Sequence, residues 1–349
     1  MIPAVSVVIA TYNYARYLRP AVESALRQTF PSLEVVVVDD GSTDDTPAVV
    51  RPFLADRRVR YHRTPHGGVA AAKNAGVRLA RAPLVAFLDA DDVWMPSKLA
   101  RQAALFRADP GLGVAYTRRR LIDEEGRRLE YEQPPLFRGR VLDELFRTNF
   151  VCFSSAMVRR AVLDEAGPFD EGLALAVDYD LWLRVALRHR FDYVDEPLVE
   201  YRTGHANLSS RTEERLATAL RIMHRFLDEF GGREVIDPSA VRYAEAETCY
   251  HIGLARRSSS RLAALPWYLR ALALAPGYGP AWRGLFSLPL PESARRLLRR
   301  ARGRPVDWSV RRPIEEPREV ACVTRLCPGD SHQSLGRKRL APARGFPTE

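Results

Sequence analysis

Asp89, Asp91 and Asp92 stand together at the end of the apolar run 84–88. In extended backbone alternate side chains face the same way, so Asp89 and Asp91 present two carboxylates to one side. Such a pair suits a hard divalent cation that keeps some water and takes further ligands from phosphate. Taken alone, the cluster reads more simply as an acidic turn or helix cap before Trp94 and Pro96. Its position directly after a buried strand strengthens the metal reading.

Two other apolar runs end the same way. Residues 5–10 lead into Thr11, Tyr12, Asn13 and Tyr14, and residues 33–38 lead into Asp39, Asp40, Gly41 and Ser42. Asp40 can reach a nucleobase or ribose, or cap the helix that opens near Thr43. Asp39 should face away, because strand neighbours point oppositely. Gly67-Gly68 opens an alanine-rich helix, whose first N–H groups can hold an anion. Lys73, a turn into it, is placed to meet a diphosphate or simply to face solvent. Downstream, Asp178 precedes Leu181, Trp182 and Leu183. It can cap a helix or accept a hydroxyl proton as general base, with Asp180 as the competing candidate.

These residues need a scaffold that gathers strand ends on one rim. Apolar runs at 5–10, 33–38, 59–62 and 84–88 alternate with helical patterns at 17–28, 43–54 and 67–80. That rhythm predicts an α/β fold, a doubly wound and mostly parallel sheet with helices on both faces. Ligands then bind beyond the carboxyl ends of the strands. After Pro96 we expect helices at 98–108, 141–147 and 180–190. Strands are expected at 113–122, 128–131 and 150–158, with an edge strand at 194–201 closing the domain near 210.

Residues 211–302 read as helices at 213–230, 240–257, 261–274 and 280–286, with Pro266 kinking the third. Ala264, Tyr268, Ala271, Leu272 and Pro276 fit one tetratricopeptide-like unit, too little for a solenoid, so it should pack on the first domain. Residues 303–349, rich in Pro, Arg and Gly, read as a disordered tail.

Hydrophobic residues make up 46% of the chain, enough for a large core. No apolar stretch suits a membrane span, and the N-terminus lacks a basic signal-peptide region, so a cytoplasmic location is expected. The net charge of +10 lies entirely in residues 211–349, with 25 Lys and Arg against 15 Asp and Glu. That excess suits a solvated surface, or peripheral contact at the inner face of a membrane. Nucleic acid is not expected, since no aromatic interleaving or recognised motif accompanies the arginines. Cys152, Cys249, Cys322 and Cys327 lack zinc-site spacing and read as reduced thiols.

Five segments, in order, resemble the family 2 glycosyltransferases. They are Val5-Ser6-Val7-Val8-Ile9-Ala10-Thr11-Tyr12-Asn13, residues 34–44 through Asp39-Asp40-Gly41-Ser42, Lys73-Asn74-Ala75-Gly76, Phe87-Leu88-Asp89-Ala90-Asp91-Asp92, and Asp178-Tyr179-Asp180-Leu181-Trp182-Leu183-Arg184. The resemblance covers about residues 3–210. It implies a GT-A fold, a nucleotide-diphosphate sugar donor (a UDP-sugar first among them), and Mg²⁺ or Mn²⁺. It implies an inverting hexosyl transfer to a glycan or lipid-linked acceptor in polysaccharide, glycan or glycolipid synthesis. By that likeness Thr11, Tyr12, Asn13, Asp40 and Lys73 hold the donor. Asp89 and Asp91 form the DxD pair on diphosphate and metal, and Asp178 is the base.

Two departures stand out. Val177 replaces a frequent Glu, and Tyr201-Arg202-Thr203-Gly204-His205 carries its His one place later than the family's Tyr-Arg-x-His. His205 is a candidate third metal ligand or phosphate contact. These departures motivate the alternative, a catalytically degenerate sugar-nucleotide-binding or scaffold protein.

Overall fold

Val, Ile and Leu runs buried on both faces form the centre of the sheet, as parallel strands covered by helices require. A computed structural model describes residues 2–205, 211–257 and 259–288. Strands β1 (Val5–Thr11), β2 (Leu33–Asp39), β3 (Val59–Arg63) and β4 (Leu84–Phe87) run parallel in the order β3-β2-β1-β4. Helices α1 (Ala15–Leu26), α2 (Thr46–Val50) and α3 (Val69–Leu79) make the crossovers. α2 passes into a 3-10 turn at Arg51–Ala55, so the helix expected to 54 ends early; Pro52 cannot donate its N–H to an α-helical bond.

The sheet then becomes mixed. β5 (Val93–Trp94), β6 (Leu112–Ile122), β7 (Arg128–Leu129), β8 (Met157–Arg159) and β9 (Arg190–Arg202) extend it in the order β4-β8-β6-β9-β5, with β7 beside β6. β8 is antiparallel to both β4 and β6, while β9 runs parallel to β6. Two expectations need correction. The strand placed at 150–158 survives only as β8, because Phe153–Ser155 turn into a 3-10 helix that brings Ser154 to the site. The strand placed at the edge is β9, longer than expected and flanked by β6 and β5.

Further helices are α4 (Lys98–Ala108), α5 (Leu142–Arg147), α6 (Arg160–Ala166), α7 (Val177–Ala186), α8 (Thr212–Glu229), α9 (Gly232–Val235), α10 (Pro238–Arg256), α11 (Arg261–Leu274) and α12 (Gly279–Phe286). α7 starts earlier than expected, which puts Asp178 in its first turn. α11 continues through Pro266.

Hydrophobic cores cover both faces of the sheet, with a small separate cluster of Val36, Val38, Ala72 and Ala75 beside α3. Val7, Ile9, Val35 and Val37 pack with Leu18, Val22 and Leu99 on one side. On the other, Phe87, Val114 and Tyr116 belong to a core that runs through Trp182 of α7 to Met223 and Phe226 of α8 and Ala271 of α11. The C-terminal helices therefore share a core with the sheet. α3 lies so close to β1 that a Cβ on Gly76 would come within 2.3 Å of Val8 Cγ1. That approach fixes Lys73, one turn earlier, against the strand ends. The tail expected at 303–349, with residues 289–302 before it, lies outside the described residues.

Candidate active site

The carboxyl ends of β1, β2 and β4 form one rim. At β1, Thr11 is buried, and its hydroxyl has no hydrogen-bond partner among the described residues. Asn13 adopts a left-handed φ of 55°, which Asn tolerates better than most residues. Its Oδ1 accepts from Thr43 N at 2.7 Å and Asp44 N at 3.3 Å, and its own N–H donates to Ser42 Oγ at 2.9 Å. Asn13 thus ties the β1 turn to the β2 turn. Tyr12 is 39% exposed and stacks on His66, ring centroids 4.1 Å apart.

Asp40 is buried, and its carboxylate is engaged by the loop before α3. Gly67 N and Gly68 N donate to it at 2.8 and 2.9 Å, and His66 Nδ1 lies 2.8 Å away. The turn expected to bind an anion is thus built around a protein carboxylate. Asp39 points inward, as its strand position requires, accepting from Ser42 N and the Tyr61 hydroxyl.

The acidic cluster divides into three roles. Lys73 is buried, with Nζ 3.3 Å from Asp89 Oδ1 and 3.4 Å from the centroid of the Phe153 ring. Asp89 keeps 33% of its side-chain surface exposed. Burial of the rest pushes its carboxyl above the usual range; Lys73 pulls it back, while Asp91 and Asp178 push it further. Asp91 Oδ2 lies 2.9 Å from His205 Nε2, so the extra residue before this His does not take it from the cluster. Asp92 is fully buried, accepting from Ser154 Oγ and from Arg202 N at 2.9 Å. Burial first, then Asp91 and Asp89, hold its carboxyl well above the usual range. It braces β4 against β9 from inside.

Asp178 accepts from Asn149 Nδ2 at 2.9 Å, and it is close enough to Asp89 to raise that carboxyl. Asp180 faces elsewhere. It is buried in ion pairs with Arg184, at 2.8 Å, and with Arg225 of α8. Val177, at the position where the family often has Glu, is buried in the core.

The structure therefore brings Lys73, Asp89, Asp91, His205 and Asp178 together, with Thr11, Tyr12 and Asn13 on the adjoining rim. Asp40, Asp92 and Asp180 each hold hydrogen bonds or ion pairs to neighbouring residues. Sequence reading missed Ser154, whose Oγ accepts from Asp89 N at 3.0 Å, and Asn149. It also missed Tyr14 and Tyr17, whose rings lie against His205. Burial and the nearby carboxylates push the Tyr14 phenol far above its usual range. Only the placement of Tyr14 next to Asn13 hinted at its part.

Among the described residues no group of three or more His, Cys, Asp or Glu is arranged to hold a metal by itself. The Asp91–His205 pair nevertheless fits a cation that completes its shell elsewhere. In the structure these two atoms share a hydrogen bond of 2.9 Å, and both are of a kind that a divalent cation takes. His205 Nδ1 is buried without a partner among the described residues, so the ring is oriented by its other contacts.

A sheet of this topology with an acidic rim is the framework of GT-A glycosyltransferases, and comparison with known proteins agrees. The model of glycosyl transferase family 2 matches residues 6–167. An uncharacterised glycosyltransferase of Nostoc is 31% identical over 247 residues, 65% of this chain and 75% of that protein. The chain belongs to glycosyltransferase family 2. The Escherichia coli chondroitin synthase is 35% identical over 198 residues, 56% of this chain but 28% of the synthase. The chain thus spans less than half the length of several curated relatives.

Two solved structures share the fold. TarS of S. aureus (residues 1–349), in complex with UDP-GlcNAc, has a TM-score of 0.53 at 19% identity, covering 84% of this chain and 91% of that one. The mannosyltransferase PcManGT of Pyrobaculum calidifontis, in complex with GDP-Man and Mn²⁺, has a TM-score of 0.50 at 22% identity, covering 82% and 84%.

Proposed function

We propose that this chain is an inverting glycosyltransferase that moves a sugar from a nucleotide-diphosphate sugar to an acceptor hydroxyl. One observation carries the reading: Lys73–Asp89, Asp91–His205 and Asp178 converge on one sheet rim. Lys73 would face the diphosphate, and Thr11, Tyr12 and Asn13 would border the nucleoside. Asp40 would act indirectly, holding the Gly67–Gly68 backbone that the nucleotide meets. Asp91 and His205, with Asp89 beside them, would hold Mg²⁺ or Mn²⁺. The bound cation would offset the charge that grows on the leaving diphosphate.

The acceptor oxygen attacks the anomeric carbon as the bond from that carbon to the diphosphate oxygen breaks. Asp178, steadied by Asn149, takes the hydroxyl proton. A single displacement of this kind inverts the anomeric centre. The UDP-GlcNAc held by TarS and the GDP-Man and Mn²⁺ held by PcManGT support a metal-assisted nucleotide-sugar site, with a UDP-sugar as first choice. The match to a chondroitin synthase supports a glycan acceptor.

In this reading residues 1–210 carry the chemistry, residues 211–302 buttress it, and the basic tail 303–349 supports peripheral contact at the cytoplasmic face of a membrane. No helix among the described residues is long and apolar enough to cross a membrane.

A thermal-shift panel of nucleotide sugars with and without Mn²⁺ tests the site. A donor at 100 times its Kd should add about 2.7 kcal/mol of stability, only with metal, and Asp91→Ala should abolish the shift. Stabilisation of Asp91→Ala equal to that of the parent chain would refute the assignment. Donor binding without turnover on any acceptor would favour the degenerate-scaffold reading.

A further inference from the structure

The chain returns to the acidic cluster through a single sharp turn after β9. Arg202 ends that strand: its backbone N–H donates to Asp92 Oδ1 at 2.9 Å, and its Nε donates to Asp91 O at 2.9 Å. Thr203 N donates to Ile122 O at 2.9 Å, so one residue further on the chain is still held against β6. Gly204 follows with a φ of +106°, a backbone angle that residues with a side chain rarely adopt. His205 comes next, and its Nε2 is already 2.9 Å from Asp91 Oδ2. Gly204 therefore absorbs the extra residue that sets this His one place later than the family's Tyr-Arg-x-His.

The His205 ring lacks the usual second tether. A metal-ligating His almost always donates its other ring N–H to a carboxylate, a carbonyl or water. Here Nδ1 is buried with no hydrogen-bond partner among the described residues. Two tyrosines pack on the ring instead. The Tyr17 ring lies 4.9 Å from it, centroid to centroid and tilted by 45°, and Tyr14 meets it edge-on at 5.9 Å. Tyr14 stands at the N-cap position of α1 and Tyr17 in its first turn, directly after the β1 rim. Tyr17 is held in turn by Arg202, whose guanidinium carbon lies 5.1 Å from its centroid. The residue that grips the Asp91–Asp92 turn thus also backs the ring that packs on His205.

We infer that Gly204 and Tyr17 are positioning residues for the cation site. Gly204 turns the chain so that His205 arrives at Asp91, and the Tyr17 ring fixes the plane in which Nε2 points. Neither supplies a ligand atom. The inference rests on the glycosyltransferase reading, in which Asp91 and His205 hold Mg²⁺ or Mn²⁺, and it explains how a displaced His can still serve there.

Both residues are tested by titrating Mn²⁺ alone into the full chain and reading the free ion by electron paramagnetic resonance. Tyr17→Ala and Gly204→Ala should each raise the Kd roughly tenfold. Tyr17→Phe keeps the ring and should bind Mn²⁺ like the parent chain. A Cβ at Gly204 would meet nothing closer than Glu124 Cγ at 3.6 Å, so Gly204→Ala strains the backbone angle without crowding a neighbour. It carries the test if Tyr17→Ala does not fold. In a His205→Ala background neither substitution should weaken Mn²⁺ binding further, because each acts through the His205 ring. If His205→Ala weakens binding while Tyr17→Ala and Gly204→Ala match the parent chain, the inference is overturned and the metal reading stands. Losses that add to that of His205→Ala would overturn it too. Mn²⁺ binding that His205→Ala leaves intact would defeat the metal role of His205 itself, and the inference with it.

Discussion

Lys73→Met isolates the pairing on which the donor site depends. The ammonium lies 3.3 Å from Asp89 Oδ1, beneath the Phe153 ring and out of solvent. At an effective dielectric constant of about 20, two unit charges at that distance interact by about 5 kcal/mol. Asp89 is 33% exposed, so water and counter-ions screen part of this. About 2 kcal/mol remains in this pair, and an ammonium that turns to the donor's diphosphate makes a contact of the same order, roughly 30-fold in donor affinity.

The variant also changes the pH profile. Lys73 is the largest influence lowering the Asp89 carboxyl, which burial and Asp91 raise. Donor binding needs this carboxylate ionised, so affinity falls as pH drops through its raised pKa. Without Lys73 the fall should begin at higher pH. Calorimetric titration of the donor with Mn²⁺ between pH 5 and 9 reads both effects (a range chosen to span the histidine and raised-carboxylate region). Lys73→Arg should keep most of the affinity. If Lys73→Met bound donor within threefold of the parent chain with an unmoved acid limb, Lys73 would be a structural lysine only.

Asp180→Asn breaks the buried pairs to Arg184 and Arg225 and should cost about 3–5 kcal/mol in urea unfolding, with donor affinity unchanged in the folded protein. Gly76→Ala forces a Cβ against Val8 Cγ1 and should cost about 1–3 kcal/mol, read as a lower Tm. Lys98 is fully buried, and burial pulls its ammonium well below the usual range. Between the folded and unfolded pKa values the unfolded chain binds more protons, so stability rises with pH in that window. Urea midpoints should show this rise above neutral pH in the parent chain, and Lys98→Met should flatten it.

Much of the candidate site's placement was legible in the sequence because chemistry-bearing residues follow apolar runs. Thr11, Asp40 and Asp89 stand at strand ends whose alternation with helices dictates a shared rim. What the sequence concealed was which neighbours each carboxylate meets. Asp40 reads as a donor contact or a helix cap and Asp92 as a ligand or a cap, and neither reading shows the hydrogen bonds they receive from the Gly67–Gly68 loop and from the distant Arg202 and Ser154. Those partners meet only when the sheet closes. The edge assignment of β9 failed for a similar reason: its second neighbour β5 has only two residues, too short for periodicity to reveal. Residues beyond 96 also lose the regular crossover rhythm, so pairing there depends on tertiary packing rather than local pattern.

The central claim is a single displacement with Asp178 as base. It is tested most directly by following donor and product anomeric signals by NMR while a sugar is transferred to an accepted glycan. An α-linked donor should give a β-linked product. Asp178→Asn should bind donor like the parent chain yet transfer at least about 100-fold more slowly. An α-linked product, or parent-level transfer by Asp178→Asn, would contradict the mechanism.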